Sequence, residues 1–245
     1  MMKRTLLDKS IDEINVLLQR EYLKLSKKLI DKLMEMYAQI VIEGADALHS
    51  HLYSYNKYYE VLNKIQKELM ALGSKENIIF NDCLTKLYQD NLEVIGEQFP
   101  AGTYINKAEL ETIIKRDWVG DGQNYSDRIW KDKRRLAETL QEELFEGVAT
   151  GKSPEKMTKV LMERFSVSYS NAKRLAVTEM SHVYNESALR KYRQAGITKV
   201  KILGTNDERE CEICKEYHKK IYPIDSCPML PLHCNCRCVY TAAID

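Results

Sequence analysis

Glycine and proline are scarce in this chain of 245 residues, ten and five respectively. A fold of short strands and tight turns needs more of both, so the shortage favours long helices. An excess of either charge is missing too. Thirty-seven Lys and Arg stand against thirty-six Asp and Glu, a formal net charge of +1, so no global field draws the chain onto nucleic acid or a membrane surface. A run of about 18 apolar residues, the length that spans a bilayer, is absent. The N-terminus, Met1-Met2-Lys3-Arg4-Thr5-Leu6-Leu7-Asp8, turns charged at once and lacks the apolar stretch of a signal peptide. The expectation is synthesis in a reducing compartment, where disulfides are rare.

What is present is a helical habit. Hydrophobic residues make up 44% and charged residues 30%, enough to bury a core and to wet long helix faces; the length suits one or two domains. Ser10-Ile11-Asp12-Glu13 reads as a capping box. Behind it Leu18, Tyr22, Leu25, Leu29, Leu33, Met36 and Ile40 recur at spacings of three and four, repeating after eleven residues, which fits a helix packed along one seam. A second helix is predicted over about 53–72, with Leu62, Ile65, Leu69 and Leu72 on one face, ending at Gly73-Ser74. A third, over about 75–98, uses Ile79, Leu84, Leu87 and Ile95, and Phe99-Pro100-Ala101-Gly102 marks a boundary.

Shorter helices follow. Asn106 caps one carrying Ile113 and Ile114, and residues 120–124 form a loop. Ser126 caps a helix through Trp130, Leu136, Leu140 and Leu144. Ser153-Pro154 opens the next, with Met157, Val160, Leu161 and Phe165. Ser168 starts a further helix, which stops at Gly196. Residues 197–203 then alternate and are β-branched, a strand signature, and 220–222 and 238–241 are two more candidates. The fold class read from this pattern is mainly α: a long-helix region over 1–105, then an α+β module over 106–245 ending in a small β platform.

That platform holds the cysteines. Of seven, only Cys83 stands alone; Cys211, Cys214, Cys227, Cys234, Cys236 and Cys238 fall within 28 residues. In a non-secreted chain such clustering points to metal. Cys211 and Cys214 form a C-x-x-C whose two thiolates reach one tetrahedral zinc. His233, Cys234, Cys236 and Cys238 offer the remaining donors; His233 with Cys236 spans a turn, and Cys236 with Cys238 shares a strand face, so both pairings stay open. His218 and Cys227 are weaker donors. Richness in sulfur favours a closed, structural Zn2+, stapling about 205–240 into a zinc knuckle that cannot otherwise bury enough apolar surface to order itself. No catalytic residues are assigned.

Ala176-Val177-Thr178-Glu179, Tyr184-Asn185-Glu186-Ser187-Ala188, Tyr192, Gly196, Thr205-Asn206-Asp207-Glu208-Arg209, Cys211-Glu212-Ile213-Cys214 and Pro231-Leu232-His233-Cys234-Asn235-Cys236-Arg237-Cys238 follow one another in an order that resembles the phage head morphogenesis domain of the Mu F-like and SPP1 minor head proteins. The likeness runs over roughly residues 125–242. It implies a minor capsid protein that joins the portal vertex of the procapsid and supports DNA packaging, retention or delivery. The protein would then sit in the virion, with portal and procapsid components, and phage DNA, as partners. It would take no small-molecule substrate and have no enzymatic activity. The motif positions fall on Glu179, Asp207, Cys211, Cys214, His233, Cys236, Arg237 and Cys238. Cys234 stands where the family often has proline, which adds a spare donor. The motif lies at the end of the chain, and no further domain is expected after it.

Other residues suggest contacts. Glu179 is read as a polar anchor pairing with Arg209 or Arg237, Asp207 as an Asx turn before the C-x-x-C, and His182 as a packed or surface histidine. Arg128, Lys131, Lys133, Arg134 and Arg135 form a basic run that reads as a nucleic-acid contact or as a wetted helix face. Tyr53, Tyr55, Tyr58 and Tyr59 suit a partner interface or a core. The alternatives to a head protein are a zinc-dependent nucleic-acid-binding module, and a metal-dependent hydrolase with Glu179 or Asp207 beside an open zinc position.

Overall fold

The computed structural model describes residues 2–43, 47–100, 107–208 and 210–244. Within them six helices precede or interrupt a small sheet: α1 (Met2–Glu43), α2 (Ala47–Gln98), α3 (Lys107–Ile114), α4 (Tyr125–Ala149), α5 (Pro154–Gln194), strand β1 (Lys199–Leu203), α6 (Glu212–Tyr217), β2 (Ile221–Pro223) and β3 (Val239–Ala242). The fold is mainly helical, with a small antiparallel sheet near the C-terminal end. The side chains of Ile40, Tyr53 and Tyr55, and residues Asn106 and Arg209, lie outside the described residues. No described helix is long and apolar enough to cross a membrane.

Three expected breaks do not exist. α1 starts at Met2 rather than after a cap at Ser10, because Leu7, Ile11, Ile14 and Leu18 carry the buried row back toward the N-terminus and bury Ser10 with it. α2 runs straight through Gly73-Ser74. A Cβ on Gly73 would sit 2.7 Å from the Trp130 ring and 3.2 Å from the Lys133 stem, so this glycine serves close approach, not chain reversal. α5 likewise runs through Ser168, whose hydroxyl is occupied by a neighbouring helix. The ends that were read correctly have plain causes. Pro154 is the first residue of α5. Gly196 closes it with φ of 73°, its N–H bonded to Arg193 O and that of Ile197 to Tyr192 O.

The chain divides into two compact units, each assembled from separated segments. The first comprises residues 1–16, 79–125 and 173–245. Its sheet has the order β2-β1-β3, antiparallel throughout, with Val200 opposite Tyr222 and Ile202 opposite Tyr240. Val200 and Ile202 point inward with Tyr240, and together with Ile95, Leu189, Tyr192, Ile224 and Leu230 they form the core that α2 and α5 share with the sheet.

The second unit comprises residues 17–78 and 126–172. Leu25, Leu29 and Leu33 of α1, Ile65, Leu69 and Leu72 of α2, and Leu136, Leu140 and Leu144 of α4 are all buried in it. Tyr58 is buried and donates to Gln141 O, while Tyr59 stays exposed. At its centre lies a charged cluster. Lys133 of α4 is fully buried; its ammonium is 3.2 Å from Glu76 Oε1 and 2.8 Å from Asp132 Oδ2, and it donates to Ser168 Oγ at 3.0 Å and to the Tyr22 hydroxyl. Asn171 caps the other oxygen of Asp132 at 2.9 Å. Burial raises the pKa of Glu76, against the pull of Lys133. Lys133 therefore cannot reach a phosphate, which corrects its place in the basic run. Lys131, Arg134 and Arg135 remain exposed.

Removing one partner of this buried cluster leaves the others uncompensated. Lys133→Met is expected to destabilise the protein by about 3–5 kcal/mol in urea unfolding, whereas Arg134→Met on the exposed face stays within about 0.5 kcal/mol.

Candidate metal centre

The candidate centre is built by two turns facing each other. The first is the start of α6. Cys211 stands in extended backbone just before the helix, and the N–H of Lys215 bonds back to its carbonyl at 3.0 Å. Cys214, three residues on, is buried under the turn. The second turn is His233–Cys236, closed by the Cys236 N–H on His233 O at 3.1 Å, with Asn235 in the left-handed region at φ of 64°. Asparagine tolerates that backbone better than most residues.

These turns, with Cys238 just before β3, gather five donors. Cys211, Cys214 and His233 lie mutually within 4.8 Å, and so do Cys214, Cys236 and Cys238. Cys214 belongs to both groups. His233 Nε2 is 3.1 Å from the sulfurs of Cys211 and of Cys214, and the Cys214 and Cys236 sulfurs are 3.7 Å apart. A tetrahedral ion with metal–sulfur bonds of about 2.3 Å has sulfur–sulfur edges of about 3.8 Å, so the residues present fit zinc. The His233 tautomer fits as well. Its Nδ1 faces the Cys234 carbonyl at 2.8 Å and must donate to it, which leaves the Nε2 lone pair aimed at the sulfurs.

The protonation pattern reflects burial and the hydrogen bonds among neighbouring sulfurs. Cys236 is held down to about 5, first by the hydrogen bond from the Cys238 thiol. Burial pushes Cys214 up to about 12. Cys238 is raised, chiefly because it donates to Cys236. Three sulfurs this close cannot all ionise unless a cation stands among them. The spare donors lie elsewhere: Cys234 is exposed, Cys227 donates to Ile224 O, and His218 accepts from the Gly204 N–H beside Glu210.

α5 fastens this loop from below through a polar row. Asn235 N–H donates to Thr178 Oγ1 at 3.1 Å, and the His182 ring faces Leu230 O at 3.4 Å. Asn185 Nδ2 donates to Cys238 O, and its Oδ1 accepts the Tyr240 N–H, both at 2.9 Å. Sequence reasoning missed this row. The spacing 178, 182, 185 within the stretch 176–185, which is buried on every side, was the available signal.

Glu179 is part of the same helix; of the two arginines expected as its partner, Arg209 lies outside the described residues. The Glu179 carboxylate accepts from Trp118 Nε1 at 2.9 Å, and the Trp118 ring stacks on His182 at 4.3 Å. Arg237 instead pairs with Asp8 of α1 at 3.0 Å. Asp207 is exposed in the loop after β1, and its carbonyl accepts the Glu210 N–H at 3.0 Å.

Asn185→Ala leaves the Cys238 carbonyl and the Tyr240 N–H without their partner. A loss of roughly 2–4 kcal/mol is expected in chemical denaturation. His182 supplies a pH signature. Burial lowers its pKa from 6.5 to about 4. As pH falls below the unfolded value the unfolded chain takes up the proton and the folded one does not. Stability then declines by roughly 3 kcal/mol between about pH 6.5 and pH 4. His182→Gln should remove that part of the slope in unfolding measured across the window.

Residues 138–241 match the family described as Phage Mu protein F like protein. No curated protein and no solved structure matches the chain significantly.

Proposed function

We propose, from the match of residues 138–241 to the family described as Phage Mu protein F like protein, that the chain is a head morphogenesis protein, a minor structural component of a tailed-phage or prophage capsid. It docks at the portal vertex during procapsid assembly and supports packaging, retention or delivery of the genome. Residues 1–105 supply long helices for partner docking, and 106–245 form the head morphogenesis module. Its partners are the portal and procapsid components. Phage DNA is contacted through Arg128, Lys131, Arg134 and Arg135, which follow one another on α4 at spacings of three and four, Arg128 half-buried and the others exposed.

The observation that carries the structural reading is the donor set itself. Sulfur and imidazole donors pack into two triplets that share Cys214, each within 4.8 Å, and a structural zinc with ligands drawn from Cys211, Cys214, His233, Cys236 and Cys238 would close the C-terminal platform. A hydrolase reading is weaker, because the Glu179 carboxylate is buried against Trp118 rather than beside an open metal position.

Purified protein is expected to carry close to one zinc per chain by atomic emission, and to co-sediment with portal rings when the two are expressed together. Metal-free protein with freely reactive sulfurs at 211, 214 and 236 would remove the zinc centre. Zinc-loaded protein that ignores both portal and procapsid would remove the assembly role.

A further inference from the structure

The charged cluster of the second unit sets one cation against two carboxyl groups, and the hydrogen bonds around Lys133 serve only one of the two. We propose that Glu76 is kept as a neutral carboxylic acid, the buried end of a hydrogen-bonded chain Glu76–Tyr22–Ser168–Asp132, and that its proton locks together the four helices that meet there. The metal centre plays no part in this, since its residues lie in the other unit.

Counting donors fixes the protonation. An ammonium has three N–H groups. Those of Lys133 go to Asp132 Oδ2 at 2.8 Å, to Ser168 Oγ at 3.0 Å and to the Tyr22 hydroxyl. Asp132 is well served, because Ser168 donates to the same oxygen at 2.5 Å and Asn171 to the other at 2.9 Å. Glu76 is served differently. Its Oε1 is 3.2 Å from the Lys133 nitrogen, yet neither of its buried oxygens takes a hydrogen bond of good geometry. A carboxylate that is 1% exposed and lacks donors is costly, and a second negative charge against one buried cation adds to the cost. A carboxylic acid escapes both penalties, and its O–H has an acceptor in the Tyr22 hydroxyl beside it.

Each hydroxyl proton then has one destination. Glu76 donates to Tyr22, Tyr22 to Ser168 Oγ at 3.0 Å, and Ser168 to Asp132. The titratable groups around Glu76 are Tyr22 of α1, Asp132 and Lys133 of α4, and Tyr169 of α5, whose ring packs on Tyr22 at 5.5 Å; α5 also brings Ser168 and Asn171. Burial holds the proton, helped by the charge of Asp132 and opposed by that of Lys133. The Asp132 side chain is 18% exposed, so the chain leads from water to the buried acid.

The sign of the pH effect follows. Above the ordinary glutamate value of 4.5 the unfolded chain gives up this proton while the folded chain keeps it. The stabilisation is fully present below that value and declines as pH rises. Loss of the proton in the folded state leaves an uncompensated charge among α1, α2, α4 and α5, and the lock opens on the alkaline side.

Infrared spectra of the wild-type chain at neutral pH test the protonation directly. A carbonyl band of a non-ionised carboxylic acid is expected, shifted by carbon-13 in the glutamate carboxyls, unmoved by carbon-13 in the aspartate carboxyls, and lost in Glu76→Gln. Absence of the band, its movement with the aspartate label, or its persistence in Glu76→Gln overturns the proposal. Urea unfolding between about pH 5 and pH 8 gives a second readout. An amide stands in for the neutral acid, so Glu76→Gln should lose the part of the decline with pH that the wild type shows and be the more stable of the two at neutral pH. Asp132→Asn, which removes the ionised partner of Lys133, should be less stable than the wild type throughout. A Glu76→Gln chain as unstable as Asp132→Asn at neutral pH means that Glu76 was ionised, and the lock is then an ordinary ion pair.

Discussion

The C-terminal platform hangs from the side chain of Asn185. One amide donates to the carbonyl of Cys238 and accepts from the N–H of Tyr240, so the entry into β3 is fixed by a helix more than fifty residues earlier in sequence. A sheet whose flanking strands are three and four residues long has little stability of its own. It stands because α5 covers its inner face with Leu189 and Tyr192 and then bonds to the loop beyond it through Thr178, His182 and Asn185. The arrangement is reciprocal. A helix stretch buried on all sides, as 176–185 is, with threonine, histidine and asparagine in its surface is costly unless each polar group finds a partner, and the partners are main-chain atoms of the loop and of β3.

Much of this was legible in the chain. The strands, the glycine closing α5, the proline opening it, and the five soft donors all follow from local chemistry: β-branched alternation, a left-handed C′ position, a fixed φ, and thiolate spacing. What was not legible depended on a partner distant in sequence. Gly73 and Ser168 carry breaker signals, yet one admits the Trp130 ring and the other serves Asp132 and Lys133. Ser10 reads as a cap only if the apolar row stops at Leu18, and it continues to Leu7. Trp118 as the partner of Glu179, and Asp8 as the partner of Arg237, join segments that no local pattern connects.

The basic run on α4 shows why composition alone misassigns function. A helix turns by about 100° per residue, so consecutive charges face different directions. Lys131, Arg134 and Arg135 face water, while Lys133 is drawn into a buried cluster with Glu76, Asp132, Tyr22 and Ser168. The same side chain that would raise affinity for phosphate on the surface becomes, fully buried in a core, an organiser of its own helices. Buried ion pairs add little net stability compared with apolar packing. Their contribution is to penalise any rearrangement that separates them, which suits helices as long as α1, α2 and α5.

The same logic, with the sign changed, governs the cysteine cluster. Sulfurs at 3.7 Å repel when both are ionised, and here the hydrogen bond from Cys238 holds Cys236 low while burial pushes Cys214 up. A divalent cation among them converts that repulsion into attraction without moving a side chain far, since tetrahedral ligands need about this separation. Closeness that is unfavourable for bare thiolates is therefore favourable for bound ones. The protein supplies the part a metal cannot, a backbone that presents the donors already turned inward: the Cys234 carbonyl fixes the His233 tautomer, Thr178 holds the turn at Asn235, and Asn185 anchors the strand that follows. Binding energy of such an ion would go into cross-linking two turns rather than into ordering them, and the platform would gain rigidity from both directions.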